Sequence, residues 1–526
     1  MSARRKYFRA MLAGLLTTMG TCAAFSQTAA PVPARPAPVQ TAPAQGSEQQ
    51  PPRPRPEIFF PMAEQPEMEM HHHGQIQVVM PEFPRLGDSQ RVVAGPIYEL
   101  QDLEKMAAEH NPTLAQAQRE IEATRGRKLQ AGLYPNPTVG YKGDEIRGGS
   151  YGGGEEGLFI QQPIILGGKL ALDRKVRGAE EKEREVEADA QRQRVENDVR
   201  RVYYRVLAAQ ERLALKRGIL AISQSTLRIV GQLGRVGQAD ETEVLEAEAE
   251  EQRMEIAVGI AEQMLRREWT MLVSVVGVPS LPAGGVAGRI DADLPPLDQQ
   301  QLLASLLAES PEIRSAQANV ERSEAALRRA KHEPIPDLIV QGGLQQNLES
   351  LSVPQNRKVG WQGFAEVGVQ LHLWDRNQGA IAAEGAGVEA AREEVRRVEL
   401  ELRNRFAMYG EDYGSSRLIA DKYRVEILPR LERAYKLMIE QYGLMTASFI
   451  RVLILERMLY ENETAYVDAL EHTWTSSIAL RGFLLDGSLG WAPAMSNGTA
   501  MDGAAAVPPI GTGNGRMGAP SELGMK

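Results

Sequence analysis

The chain has 526 residues, of which 25% are charged, and a formal net charge of −9. Its single cysteine, Cys22, excludes a disulfide-stapled fold, and a mildly acidic chain without a basic stripe gives no reason to expect a nucleic-acid partner. Beyond the amino terminus no uncharged apolar run reaches the length of a helical membrane span.

At the amino terminus Arg4, Arg5 and Lys6 precede an apolar run through Met11, Leu12, Leu15 and Leu16 and then small residues. These are the three regions of a secretory signal, assigned to residues 1–26, with cleavage after Ala24-Phe25-Ser26 leaving Gln27 first. A competing lipobox, Met19-Gly20-Thr21-Cys22, carries Met and Thr where Leu and Gly or Ala are usual, so lipidation of Cys22 is the weaker reading. Residues 27–95 are rich in Pro, Gln, Ala and Glu and read as a disordered leader. Met62, Met68, Met70, His71, His72 and His73 form a soft-ligand cluster there, a set suited to copper or zinc. No fixed geometry would hold those ligands, and a His tract without metal is the preferred alternative. Residues 492–526, rich in Gly, Ala and Pro, read as a loose tail.

Between these ends the chain is duplicated. Asn111-Pro112 recurs as Ser310-Pro311, Ala117-Gln118 as Ala316-Gln317, and Pro135-Asn136-Pro137 as Pro334-Ile335-Pro336, all at one offset. The copies are placed at 96–290 and 291–491, with 279–296 as linker. Each opens with a helical segment, 101–131 in the first copy, that stops before the proline-rich step. The period then becomes two, predicting strands over 135–146 and 157–166, and over 334–347 and 360–374. In the second copy Leu338, Val340 and Leu344 oppose Gln341 and Gln345. On the return Trp361, Ala365, Val367, Val369, Leu371 and Leu373 oppose Gln362, Glu366, Gln370 and His372.

A long helical stretch follows. Residues 168–233 contain no proline, and Val195, Val199, Val202, Val206, Ala209 and Leu213 repeat at alternating steps of four and three, a coiled-coil seam. Val388, Ala391, Val395, Val398 and Leu402 repeat similarly in the second copy. A helix of roughly 60 residues would be about 90 Å long, more than a compact domain needs. Breaks at Gly234 to Gly237 and at Gly443 to Thr446 reverse the chain into a second helix in each copy, and Gly237, Gln238, Ala239 and Asp240, with Gly443, Leu444, Met445 and Thr446, are the candidate tip residues.

The expected fold is therefore mainly α with a small β part: two repeats of long coiled-coil helices plus two β-hairpins. Four half-apolar strands cannot close a ring, and lipid tolerates no open sheet edge. Strands of this length can cross an outer membrane when tilted, and closed barrels start at about eight strands. Several chains must then cooperate. Three would give a twelve-stranded barrel above an α-helical tunnel, with Gln341, Gln345, Gln362, Glu366, Gln370 and His372 as lumen candidates. Trp361, Trp374 and Tyr141 suit either an aromatic girdle or packing. The acidic run 180–187 reads as a solvated helix face with i to i+4 partners.

The duplicated pattern, the proline-opened hairpins, the run Leu371-His372-Leu373-Trp374-Asp375-Arg376-Asn377-Gln378-Gly379 and the two turns resemble the TolC-type outer-membrane efflux family over 97–490. The Trp-Asp-Arg-Asn-Gln-Gly run is most similar to the branch serving cobalt-zinc-cadmium exporters, whereas the first copy has Ile165-Leu166-Gly167-Gly168-Lys169, as the commoner family version does. The resemblance implies a homotrimer in outer-membrane lipid, extending into the periplasm. It also implies that the helical tips meet a periplasmic adaptor coupled to an inner-membrane proton-driven pump. No Gly-rich Lys-Ser/Thr nucleotide loop is present, so energy would come from that pump. No cofactor and no catalysis are expected. Two other readings stand beside this exit duct for metal cations or small toxic molecules: a duct for type I protein secretion, and a pore-less periplasmic coiled-coil scaffold.

Overall fold

The computed structural model describes residues 93–144, 154–237, 239–292, 296–351, 357–444 and 446–490. The expected signal with Cys22, the Met62 to His73 cluster, Gln238, Met445 and the tail lie outside the described residues.

The first copy runs β1 (Ile97–Tyr98), α1 (Leu100–His110), α2 (Pro112–Ala131), β2 (Thr138–Asp144), β3 (Glu155–Ile164), α3 (Lys169–Arg235) and α4 (Glu241–Val276). After the linker strand β4 (Gly285–Val286) the second copy repeats it: α5 (Gln299–Glu309), α6 (Pro311–His332), β5 (Leu338–Leu351), β6 (Arg357–Val369), α7 (Gln378–Lys422), α8 (Leu428–Gly443) and α9 (Phe449–Arg481). A five-residue π-helical segment, Tyr423–Ile427, separates α7 from α8.

The duplicated dipeptides are helix starts. Asn111 Oδ1 accepts from the Thr113 backbone at 2.9 Å, and Ser310 Oγ accepts from the Glu312 backbone at 3.3 Å. A proline follows each cap at the first helical position, where its missing N–H costs nothing. Asn111 also reaches across the molecule, donating through Nδ2 to the Val275 carbonyl at 2.7 Å near the end of α4.

Helix α3 has 67 residues, about 100 Å at 1.5 Å per residue. Its expected seam is buried along its length, from Val195 through Leu213. Side chains of α1, α4, α9 and β4 join that seam in one cluster around Leu103, Leu207, Leu272 and Leu459. A second, smaller cluster gathers Leu306, Leu402, Phe406 and Leu480 from the second copy.

Polar side chains of α3 fasten the chain's return. Asn197 Nδ2 donates to the carbonyls of Gly482 and Leu485 at 2.8 and 3.0 Å. Asp198 accepts from the Ser488 backbone at 2.6 Å, and Gln191 donates to the Ser488 carbonyl at 2.9 Å. Gln210 accepts from the Val286 backbone at 2.8 Å, and β4 pairs in parallel with β1, so the linker is tied to the start of the first copy.

The remaining four strands form one antiparallel sheet in the order β2-β3-β5-β6. Each copy contributes a hairpin, and β3 joins β5 with Gln161 opposite Gln341. Strand β2 begins at Thr138, three residues later than the expected 135, because Pro135 and Pro137 cannot donate to a ladder. On the far side β6 ends at Val369, short of the expected 374, because the Leu373 N–H turns back to the Leu371 carbonyl at 3.1 Å. Gln370 and His372 therefore lie past the sheet.

Truncating Asn197 to Ala leaves the buried Leu485 carbonyl and the partly buried Gly482 carbonyl without their donor. Asn197→Ala is expected to cost about 1–3 kcal/mol and to lower the thermal midpoint of the detergent-purified protein; an unchanged midpoint would remove this fastening from the account.

Candidate functional site

The sheet is inside out relative to a soluble one. The pairing puts Val139, Ile160, Gly342 and Ala365 in one row and Tyr141, Leu158, Leu344 and Gly363 in the next, all on one face. The large side chains of that face are open to solvent in the single chain: Val139 at 70%, Leu158 at 63%, Leu344 at 63%, Trp361 at 72% and Val367 at 64%. Exposed apolar patches of this extent mark a surface that something else covers.

On the opposite face the register gathers Gln161, Gln341 and Glu366 in one row and Gln345 and Gln362 in another. Four of the six expected lumen residues, Gln341, Gln345, Gln362 and Glu366, thus share one polar face, while Gln370 and His372 do not belong to it. Sequence reasoning missed Glu155, Asn347 and Lys142. Glu155 accepts from Gln345 Nε2 and Asn347 Nδ2, both at 2.6 Å, and Lys142 pairs with Asp144 at 2.8 Å. Glycines on that face, Gly140, Gly157 and Gly343, broke the alternation that would have exposed the pattern; the Phe159 ring lies over Gly140. Trp361 lies on β6 towards its hairpin loop, and Trp374 stands 87% exposed beyond the strand's other end.

Where the sheet meets the helices, the two copies solve one turn differently. Gly168 precedes α3 with φ 68°, and Asn377 precedes α7 with φ 57°, both left-handed. Asn is among the few side chains that tolerate that conformation. Its amide donates to the Ala330 carbonyl at 2.9 Å, and its backbone N–H is held by Asp375 at 3.0 Å. The Trp-Asp-Arg-Asn-Gln-Gly run is thus a side-chain-braced replacement for Gly167-Gly168. Beneath the sheet Lys169 and Asp337 pair at 3.1 Å across the copies, and hydrogen bonds from Lys128 and then Arg125 hold Glu181 below the usual carboxylate range.

At the other end of the helices the two expected turns come together. Val230 and Ala247 from the α3–α4 hairpin are buried against Tyr442 and Leu453 from the α8–α9 hairpin. Gly237 has φ 74° and no atom within 4 Å of where a Cβ would stand, so a side chain there would strain the backbone and project into open space. Ala239 packs into this cluster, while Asp240 lends its carbonyl to the Glu243 N–H at 3.1 Å. After Gly443, Leu444 is 73% exposed and Thr446 donates to the Gln441 carbonyl from both N–H and hydroxyl, at 3.0 and 2.9 Å. Among the described residues no group of three or more His, Cys, Asp or Glu is arranged to hold a metal ion, and no helix is long and apolar enough to cross a membrane.

Residues 103–278 and 302–484 match the family described as outer membrane efflux protein. The chain is 27% identical over 410 residues to the cobalt-zinc-cadmium resistance protein CzcC of Cupriavidus metallidurans, covering 76% of this chain and 92% of that one. Among solved structures it is similar to a membrane protein from Pseudomonas aeruginosa, with TM-score 0.61 and 19% identity over 73% of this chain and 93% of that one. It is also similar to CusC, whose structures concern folding and transmembrane channel formation, with TM-score 0.59 and 17% identity over 76% and 93%.

The two faces of the sheet should respond oppositely to charge. Leu158→Arg is expected to cost about 2–4 kcal/mol of stability in a bilayer, whereas Gln341→Arg on the polar face is tolerated. Urea unfolding of both variants in liposomes measures the difference, and equal losses would contradict the assignment of faces.

Proposed function

The chain belongs to the outer membrane efflux protein family, and from that premise we propose that three copies close into a twelve-stranded barrel standing on a helical tunnel. The observation that carries this is the sheet itself. Among the described residues its outer strands β2 and β6 each have one unpaired edge, and its outward apolar face has no cover. Lipid tolerates the apolar face but not the edges, so β6 of one copy pairs with β2 of the next until the ring closes. Trp361 and Trp374 then mark the two bilayer boundaries. The polar face, with Gln161, Gln341, Gln345, Gln362 and Glu366, lines a water-filled lumen. A pore-less scaffold would leave both edges and the apolar face in water.

In this reading the protein is a passive conduit and not an enzyme. The paired tips at Gly237 to Asp240 and Gly443 to Thr446 receive a periplasmic adaptor, which couples the duct to an inner-membrane proton-driven pump. Likeness to a cobalt-zinc-cadmium resistance protein favours divalent transition-metal cations as cargo over secreted protein. Selection among metals falls to the pump, since the lumen residues are amides and carboxylates open to water.

Deletion of the chain is expected to sensitise cells to cobalt, zinc or cadmium, with resistance restored by the native gene. Gly237→Arg or Leu444→Arg should abolish that restoration while leaving heat-modifiable oligomer and single-channel conductance intact. Full resistance in both tip variants would remove the docking assignment, and failure of the purified protein to conduct in planar bilayers would remove the duct.

A further inference from the structure

Helix α9 carries a heptad seam of its own, with Val452, Glu456, Leu459, Glu463, Tyr466 and Leu470 at alternating steps of four and three, all buried. The same heptad position is thus a glutamate in two successive heptads, 4% and 5% exposed, with Leu459 between them. Each has an Oε2 that finds no hydrogen-bond partner among the described residues. A buried carboxylate without a partner is costly, and the usual remedy is to keep its proton.

The neighbours do not neutralise either group. Glu456 borders a cleft of ≈ 310 Å³ that is also lined by Glu250 and Arg253 on α4 and by Arg457, Tyr460 and Glu461 on α9, and Tyr435 on α8 faces it as well. Both arginines are engaged elsewhere: Arg253 meets Glu250 at 2.6 Å and Arg457 meets it at 3.2 Å. On α3 the Lys216 ammonium sits 3.8 Å from the Tyr460 ring centre, and burial pushes its own pKa down. Glu463 is faced by a further carboxylate, Glu432 on α8. Burial first, and the Glu250 charge second, push Glu456 up to about 7; burial and then Glu432 push Glu463 up to about 8.

The second hairpin also has a built-in discontinuity that the first lacks. Helix α3 runs unbroken to its tip, but α7 gives way to the π-helical segment at Tyr423–Ile427, with Pro429 immediately beyond it. Such segments often mark functional sites in helices.

We propose that the seam between α9 and its neighbours α8 and α4 is a proton-operated latch. With Glu456 and Glu463 neutral the tip half of the second hairpin stays packed, and their ionisation frees it to part from the bundle at the π-helical segment. The packed seam holds both protons more tightly than open solution does. Packing is therefore fully supported below the ordinary carboxylate range, weakens as pH rises above it, and has lost this support once pH passes 7 to 8. A periplasmic segment meets such changes, because small ions and protons cross the barrels of an outer membrane freely.

Amide hydrogen exchange of the full mature chain in detergent, corrected for intrinsic rates, tests this at about pH 5.5 and 8.5. Residues 428–463 should lose protection by about tenfold or more at the higher pH, while residues 100–110 do not change. The double variant Glu456→Gln with Glu463→Gln, which carries neutral groups of the same shape, should stay protected at both. Equal protection of the native chain at both pH values, or an undiminished loss in the double variant, overturns the latch. Should the double variant not fold, each single Gln variant must reduce the slope of protection against pH, and unchanged slopes equally overturn it.

Discussion

Backbone hydrogen bonding is the constraint from which the rest follows. Four antiparallel strands leave one row of N–H and C=O groups unpaired on β2 and another on β6, and hydrocarbon offers such groups no partner. Side-chain chemistry cannot repair this: making the strands more apolar improves their contact with lipid while leaving the edges as costly as before. Only more strands can, and the other described strands, β1 and β4, are two residues each and pair with one another. In the proposed assembly the apolar face and the open edges therefore make one demand together, the first for lipid and the second for identical neighbours.

The helices answer a different requirement, that of length. A hairpin long enough to reach from a membrane deep into the periplasm cannot be wrapped around a globular core, so burial must be distributed along a seam. Helix α3 does this with small and β-branched side chains at Val195 through Ala209, which let its neighbours α1, α4 and α9 approach closely over much of its length. Where the chain must change direction, apolar contacts give way to specific hydrogen bonds: Asn111 to Val275, Asn197 to Gly482 and Leu485, Asp198 to Ser488. Each fixes a loop carbonyl or amide that the regular helix ladder leaves unpaired.

Much of this was legible in the sequence because it rests on period. The steps of four and three along α3, the prolines that end α2 and α6, and the alternation in β5 and β6 each survive in one sequence. Leu371 and His372 misled the same reasoning, since alternation continues in the letters after the ladder has stopped; the turn at Leu371–Leu373 depends on backbone geometry that composition does not encode. The polar face of the first hairpin was hidden for another reason. Gly140 and Gly157 stand where a polar residue would have signalled the lumen side, so Glu155 and Lys142 could be placed only once the register was known. Pairing of the tips was also out of reach, because it depends on Tyr442 and Val230, separated by more than a whole repeat.

Duplication gives the two hairpins a common plan without making them mechanically equivalent. The α3–α4 hairpin combines an uninterrupted helix with a buried apolar seam, so bending it anywhere would sacrifice packing over several turns. In the α7–α8–α9 hairpin the hydrogen-bond ladder is already irregular at Tyr423–Ile427, and two seam places are occupied by glutamates instead of apolar groups. Natural sequences keep such departures from the stable pattern where two arrangements must lie close in free energy. In the proposed duct the rigid hairpin then serves as the fixed wall of the tunnel, while the proposed latch gives the second copy, free of that duty, the part able to move.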